Sequence, residues 1–459
     1  MRLDLHPPSA VRAIARRLER EGGYETWAVG GAVRDAVLGL PSGDWDLATR
    51  ARPDEVRGLF RRTVPIGLEH GTVGVLADDG ELYEVTTFRR DVETFGRHAV
   101  VAFADTIEED LARRDFTFNA LAWHPTTREL RDPFGGVEDL RRRRLRTVGR
   151  AADRFAEDYL RVLRALRFAG RFELTIARET WHALTDATSR LSALSAERVR
   201  EELWKVLGQQ RRASASLGLY AASGSLAALY PELDALVGLR AGGRGAHDAW
   251  TVSVLAVDAI PPSRMLLRAA ALLHAIGMPG ARTKDLRGGW RFTGHERIGG
   301  RKAAEVMRRL RASNRETERV RRLVAHQSDL FPPDSPDAGV RRWLRDIGPD
   351  LAYDLFRLRF ALWRAEHRGG RRDGGAVEGP DPSDLVDRWR QAHAVVLRHP
   401  PLEVGDLAIG GDELKALGLE PGPAYGEILR ALLERVIERP ELNTRDALVE
   451  LVRTELTPP

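Results

Sequence analysis

The chain has 459 residues, 43% of them hydrophobic, more than one ordinary core requires, so two or more globular domains are expected. It contains no cysteine, which excludes a disulfide scaffold and any Cys-ligated zinc, and no run approaches the roughly 20 apolar residues of a membrane span. The 72 basic and 67 acidic residues leave a net charge of +5, and only Lys205, Lys284, Lys302 and Lys415 among the basic residues are lysine, so each arginine has to be judged by its surroundings.

The N-terminal stretch MRLDLHPPSAVRAIARRLER has no apolar core of signal-peptide length, and a cytoplasmic protein without membrane association is expected. Up to about residue 150, short β-like runs (TWAVG, DWDLAT, GTVGVLAD, LYEVTTF) alternate with Gly and Asp turns and helical stretches, which predicts a small α/β domain. Beyond it the pattern is helical. Phe155, Tyr159, Val162, Leu163 and Leu166 recur at helical spacing across residues 152–172, and amphipathic stretches follow at 196–208, 264–276, 302–325 and 424–437. Gly, Pro and Asp cluster in AGGRGAHD, GGRRDGGAVEGPDPSD and RHPPLEVGD; the second, near 368–383, is the best linker candidate. No repeat of solenoid period is present.

Chemistry concentrates in VGGAVRDAVLGLPSGDWDLAT, residues 29–49. On a strand, Asp44 and Asp46 point to one face while Trp45 and Leu47 point into the core. Two adjacent carboxylates repel unless a cation lies between them, and hard oxygen ligands suit Mg²⁺. Gly30 and Gly31, ahead of the helical stretch AVRDAVLG, allow backbone amides to approach a phosphate. A lone glycine pair is usually a turn and a lone D-x-D a solvated one; together they suggest nucleotidyl transfer.

The spacing G-G-x-V-R-D, eight residues, then D-x-D resembles the DNA polymerase β-like nucleotidyltransferases, specifically the class II tRNA nucleotidyltransferases (CCA-adding enzymes) and bacterial poly(A) polymerases. GLEHGTVGVL, YEVTTFR, RRDFTFNALAW, DPFGGVEDLRRRRLRTVG, EDYLR and GDLAIGGDELKALGLEPGPAYGEILRALLE resemble, in order, the family's later motifs. The resemblance implies an α+β fold: a polymerase β-like head at 1–150, a helical neck bearing a base template at 151–240, a helical body at 241–370 and a tRNA-binding tail at 384–459.

It also implies roles. Asp44 and Asp46 hold Mg²⁺, with Glu84 as a third acid; Gly30, Gly31, Arg34 and Asp35 belong to the nucleotide site. Arg113 and Arg114 neutralise triphosphate oxygens, and Asp115 and Asn119 bind ribose hydroxyls. Asp158 and Arg161, three apart on one helical face, read the edges of C and A, supported by Glu157; Arg164 and Arg167 join the nucleotide site. The implied activity adds C, C and A to the 3′ end of tRNA from CTP and ATP with release of pyrophosphate. The implied partners are the tRNA acceptor and T arms, with Arg141–Arg144 a candidate contact or a solvated helix face, and no protein partner is evident. Gly96 and Ala99 stand where the family's flexible loop carries Asp and Pro, and the loop is one residue shorter, so addition of the final A stays open. A CC-only or A-only enzyme, a poly(A) polymerase and an inactive RNA-binding protein are the alternatives.

ALLHAIGMPG, FTGHERIGG and LVAHQ resemble an HD phosphohydrolase domain, with His274, His295 and His326 in ligand places. Ala275 replaces the Asp of the His-Asp pair and Val252 replaces a His, so a helical relic that scaffolds tRNA binding is expected rather than a hydrolytic centre.

Overall fold

The computed structural model describes residues 2–95, 98–240, 247–284, 290–367 and 382–456. Residues 241–246, Gly96 of the flexible loop and positions 368–381 of the expected linker lie outside the described residues. The chain divides into two compact units, Met1–Val206 with Arg212–Pro231, and Leu207–Arg211 with Glu232–Pro459.

The first unit opens with α1 (Ser9–Gly22), whose Val11, Ile14, Ala15 and Leu18 form one buried stripe; Gly23 ends it with a left-handed φ of 70°. There follow β1 (Thr26–Val29), α2 (Gly31–Val37), β2 (Asp46–Thr49), α3 (Pro53–Leu59), β3 (Thr63–Gly67), β4 (Thr72–Leu76) and β5 (Leu82–Thr87). β6 (Arg89–Phe95) and β7 (His98–Phe103) pair as a separate hairpin. Next come α4 (Ile107–Ala112), a 3₁₀ turn at Thr117–Asn119, β8 (Ala122–Trp123), β9 (Leu130–Arg131) and α5 (Gly136–Arg141).

Seven of these strands form one sheet in the order β3-β4-β5-β2-β1-β8-β9, antiparallel except between β2 and β5. Strand alternation buries Leu47, Val73, Val75, Tyr83 and Val85 on one face and turns Asp46, Gly74 and Glu84 to the other. Trp45 and Leu47 are buried as the sequence pattern predicts, although the strand proper begins at Asp46 and Asp44 lies just ahead of it.

Residues 152–172 are not one helix. α6 (Ala151–Glu157) and α7 (Leu160–Phe172) are separated where Asp158 adopts φ −155° and ψ 106°. Its Oδ1 accepts the Leu160 N–H at 3.0 Å, so the side chain opens a new helix as Asp does at helix starts. α8 (Arg178–Ala187), α9 (Ala196–Gln209) and α10 (Ala213–Ala222) follow. α7 and α10 meet at Gly170, where a Cβ would stand 2.1 Å from Ser216 Oγ, so this close approach requires glycine.

The second unit is helical apart from a short hairpin of Thr283–Lys284 with Trp290–Arg291. The expected amphipathic stretch at 302–325 is also two helices, His295–Arg309 and Asn314–Ala325, divided where Arg311 takes a φ of 56° and Ser313 forms a capping box with Glu316. Near the C-terminus, helices Gly411–Ala416, Pro423–Glu438 and Arg445–Leu451 enclose Leu407, Ile409, Leu414, Leu432, Val436 and Leu448. Arg341 donates to the carbonyls of Ile437 and Glu438, satisfying the end of the middle helix. No described helix is long and apolar enough to cross a membrane.

Candidate active site

The sheet register places Asp46 beside Glu84, because Leu47 pairs with Val85 on the parallel neighbour. Burial, then the charge of Asp44, then that of Glu84 raise the Asp46 carboxyl to about 6, and Arg114 only partly offsets them. Three acids thus meet with too little positive charge between them. Among the described residues no group of three or more His, Asp or Glu side chains is placed to hold a metal ion. The open arrangement of Asp44 and Asp46 nevertheless fits Mg²⁺, which takes one or two carboxylates and completes its shell with water and substrate phosphate.

Gly30 closes β1 with φ 77° and borders this cluster: a Cβ there would lie 3.2 Å from Arg114 Nη1 and 3.9 Å from Asp46 Oδ2. Arg114 donates to Asp110 Oδ2 at 2.9 Å, while its buried Nε has no hydrogen-bond partner among the described residues.

Behind it runs a chain of paired side chains. Asp115 accepts from Asn119 Nδ2 at 2.9 Å and from Arg164 Nε at 2.7 Å; Asn119 Oδ1 accepts from Arg34 Nη1 at 2.7 Å, and Arg34 Nε donates to Asp35 at 2.7 Å. Burial pushes the Asp115 carboxyl up, but Arg164 and the Asn119 hydrogen bond outweigh it and hold it below its ordinary value. Burial lowers Arg34, against the pull of Asp35. Arg34 lies over the rings of Phe168 and Phe172, and Arg164 and Arg167 over Phe168.

These contacts sort the expected nucleotide-site arginines. Arg34 and Arg167 are each only 4% exposed and spend their donors inside the protein, Arg167 on Glu202 of α9 at 2.6 Å. Arg113 turns its carbonyl to Arg154 Nη1 and Arg161 Nη2, at 3.2 and 3.3 Å, which ties its segment to α6 and α7.

The expected pairing of Asp158 with Arg161 on one helical face is not what the structure shows, because the break between α6 and α7 falls at Asp158. Arg161 pairs instead with Glu157, at 2.5 Å, and Asp158 Oδ2 accepts from Arg198 of α9 at 2.6 Å. In the arginine run, Arg142, Arg143 and Arg144 have the acidic partners Glu138, Glu173 and Asp139.

In the second unit the three candidate histidines face local partners. His274 Nδ1 lies 2.9 Å from the Ala271 carbonyl and 3.3 Å from Ser253 Oγ, and burial lowers the ring to about 4. His295 Nδ1 lies 2.8 Å from the Phe292 carbonyl, and His326 Nδ1 lies 2.9 Å from Asp329.

The sequence matches the Poly A polymerase head domain family over residues 26–146, and over 173–237 a family described as a probable RNA and SrmB-binding site of polymerase A. It is 32% identical over 447 residues to a CCA-adding enzyme of Lactobacillus delbrueckii subsp. bulgaricus, covering 96% of both chains. The chain belongs to the CCA-adding enzyme family. The crystal structure of the Bacillus stearothermophilus CCA-adding enzyme in complex with CTP superposes with a TM-score of 0.71 at 29% identity, over 97% of this chain and 98% of that one. The Thermotoga maritima CCA-adding enzyme complexed with tRNA shares the fold, with a TM-score of 0.54 at 19% identity over 98% and 95% of the two chains.

Within this member of the CCA-adding enzyme family, several supporting residues went unnoticed in the sequence. Buried Asp139 accepts from Thr117, Arg144 and Arg146 and so holds the 3₁₀ turn that carries Asn119. Asp132 accepts the N–H groups of Gly136 and Val137 at the start of α5. Arg154, Arg198 and the Phe116–Phe118–Phe168 cluster complete the neck side. The only available signal was that several of them lie inside segments already matched as motifs.

Proposed function

We propose that this protein adds C, C and A to the 3′ end of tRNA, using CTP and ATP and releasing pyrophosphate. The observation that carries the reading is the acid cluster: Asp46 beside Glu84 on one sheet face and within the field of Asp44 just ahead of the strand, with Gly30 and Arg114 at its edge. The 3′ oxygen of the RNA forms its bond to the α-phosphorus as the bond to the pyrophosphate oxygen breaks. Asp44 and Asp46 would hold Mg²⁺ in a two-ion arrangement, and the ions would supply Lewis acidity to the attacking oxygen and to the leaving group.

The chain's own residues bind and orient. Gly30 and Gly31 let the backbone come close to the triphosphate, Arg113 and Arg114 meet its oxygens, and Asp115 with Asn119 faces the ribose. Arg34, Asp35, Arg164 and Arg167 hold those side chains in place. Asp158 and Arg161, steadied by Arg198 and Glu157, present an acceptor and a donor to the base edge. We assign residues 1–150 to a head, 151–240 to a neck, 241–370 to a body without hydrolytic metal chemistry and 384–459 to a tail that contacts the acceptor and T arms of tRNA.

The test is incorporation into three tRNA transcripts, ending before the tail, after C and after CC, with Mg²⁺ and CTP, ATP or both, sized to one nucleotide. Three additions that then stop support the reading. A stop at CC with ATP present identifies a CC-adding enzyme, a single A on the CC-ended tRNA alone an A-adding one, and long A tails a poly(A) polymerase. No incorporation refutes enzymatic activity.

A further inference from the structure

Val64, Ile66 and Leu82 are large aliphatic residues yet are 43, 42 and 45% exposed, on the same sheet face as the acids. Val64 pairs with Gly74, Gly74 with Glu84, and Glu84 lies beside Asp46, so one row of cross-strand neighbours leads from the edge strand β3 to the carboxylates. Ile66 and Leu82 converge over Gly74: a Cβ there would stand 2.7 Å from Ile66 Cδ1 and 3.0 Å from Leu82 Cδ1. Glycine in the middle of β4 therefore keeps this apolar shelf low and level next to Glu84.

We propose that Val64, Ile66 and Leu82 form the subsite on which the 3′-terminal nucleoside of the acceptor RNA rests. The inference depends on the nucleotidyl-transfer reading above. Along the sheet the order is β3, β4, β5, β2, β1, so the acids of β2 and β5 separate the shelf from Gly30 at the end of β1. Arg114, assigned above to the triphosphate, stands beside Gly30, and its neighbour Asp115 is bound by Arg164 of α7. In-line displacement requires the attacking and leaving oxygens on opposite sides of the phosphorus. With the triphosphate on the β1 side, the attacking hydroxyl arrives from the β4 and β3 side, where the shelf lies.

The chemistry of the shelf suits that occupant. Aliphatic side chains pack against the faces of bases and riboses without reading their edges, and every base has such a face. An acceptor whose last nucleotide changes after each addition needs a contact of that kind. Arg61 and Arg62, exposed where the chain enters β3, supply positive charge for the backbone phosphates leading to the terminus.

The test uses the full-length double variant Ile66→Ser/Leu82→Ser with a tRNA transcript ending before the tail, CTP and Mg²⁺. The expected result is a rise of about tenfold in KM for tRNA, with KM for CTP within about twofold and the unfolding midpoint unchanged. Leu82→Trp, which widens the stacking surface, is expected to lower KM for tRNA, and supports the same conclusion if the double variant folds poorly. A photoreactive benzoylphenylalanine at position 82 is expected to crosslink to the terminal nucleotide. Wild-type protein that incorporates nothing overturns the underlying reading. Wild-type incorporation combined with an unchanged KM for tRNA in both variants, or with an equal rise for CTP, overturns the subsite alone. So does a wild-type dimer in sedimentation that the double variant loses, since the shelf is then a contact between copies.

Discussion

Replacing Asp46 by Asn is expected to abolish nucleotide addition and at the same time to stabilise the metal-free protein. The carboxyl sits at about 6 in the folded protein against an ordinary 3.8, because burial and the charges of Asp44 and Glu84 all oppose ionisation. At about 1.4 kcal/mol per unit, the ionised form costs up to about 3 kcal/mol at neutral pH. The cluster borders solvent, and screening reduces this to about 1–2 kcal/mol. The sign follows from proton binding: between about 6 and 3.8 the folded state holds the proton that the unfolded state has lost, so wild-type stability increases as pH falls through that window. Asn carries neither charge nor proton. In EDTA, urea unfolding at pH 7.5 should therefore show Asp46→Asn more stable than wild type by about 1–2 kcal/mol, with the gap closing as pH falls towards 3.8. Mg²⁺ should raise the unfolding midpoint of wild type and leave the variant nearly unmoved. A variant less stable than wild type at pH 7.5 in EDTA, or an equal response of both proteins to Mg²⁺, would refute this account of the acids.

Arg198→Met removes the donor that fixes Asp158 Oδ2 and should lower discrimination of CTP against UTP by about tenfold, with partial recovery in Arg198→Lys; single-nucleotide incorporation rates for the two triphosphates check it. The buried pair Arg167–Glu202 should behave asymmetrically. Glu202→Leu alone should cost about 3–5 kcal/mol in denaturant unfolding and Arg167→Met less, because Glu202 keeps Lys205 at 3.1 Å, whereas the double variant should recover part of the loss. Gly136→Ala places a Cβ 2.2 Å from the Thr117 carbonyl oxygen and should shift the turn bearing Asn119; KM for both triphosphates should rise while tRNA binding measured by filter retention stays unchanged.

Sequence reasoning was strongest where a pattern had one physical meaning. Period-two burial around Trp45 and Leu47, and the change from short strands to helices near residue 150, follow directly from side-chain direction and hydrophobic spacing. The division between α6 and α7 was hidden because apolar periodicity continues across it and no Gly or Pro marks the junction; the cause is one Asp side chain that satisfies a backbone N–H two residues later. Arginine was the other place where the pattern was silent. In a chain so rich in it, motif position does not reveal that Arg34 and Arg167 turn inward onto Asn119 and Glu202, because those partners lie 85 and 35 residues away. Asp139 was missed for the same reason: in DPFGGVEDL it reads as a surface acid, yet it accepts a buried hydrogen bond from Thr117, 22 residues before it.

The side chains of α6 and α7 to which base selection was assigned also fasten these helices to the segment around Arg113. Arg161 donates to Glu157 on its own side and to the Arg113 carbonyl on the other, and Arg154 bridges the same two acceptors. The residue immediately after Arg113 is Arg114, which stands beside Gly30 and the acids, and the next is Asp115, which is clamped by Arg164. On the roles proposed above, a base that draws Arg161 away from either acceptor would perturb the segment assigned to the triphosphate and ribose. A mismatched base, which leaves Arg161 in its resting pairs, would not. Base selection and phosphate alignment would then depend on one hydrogen-bonded network, joined at the short Arg113–Asp115 segment.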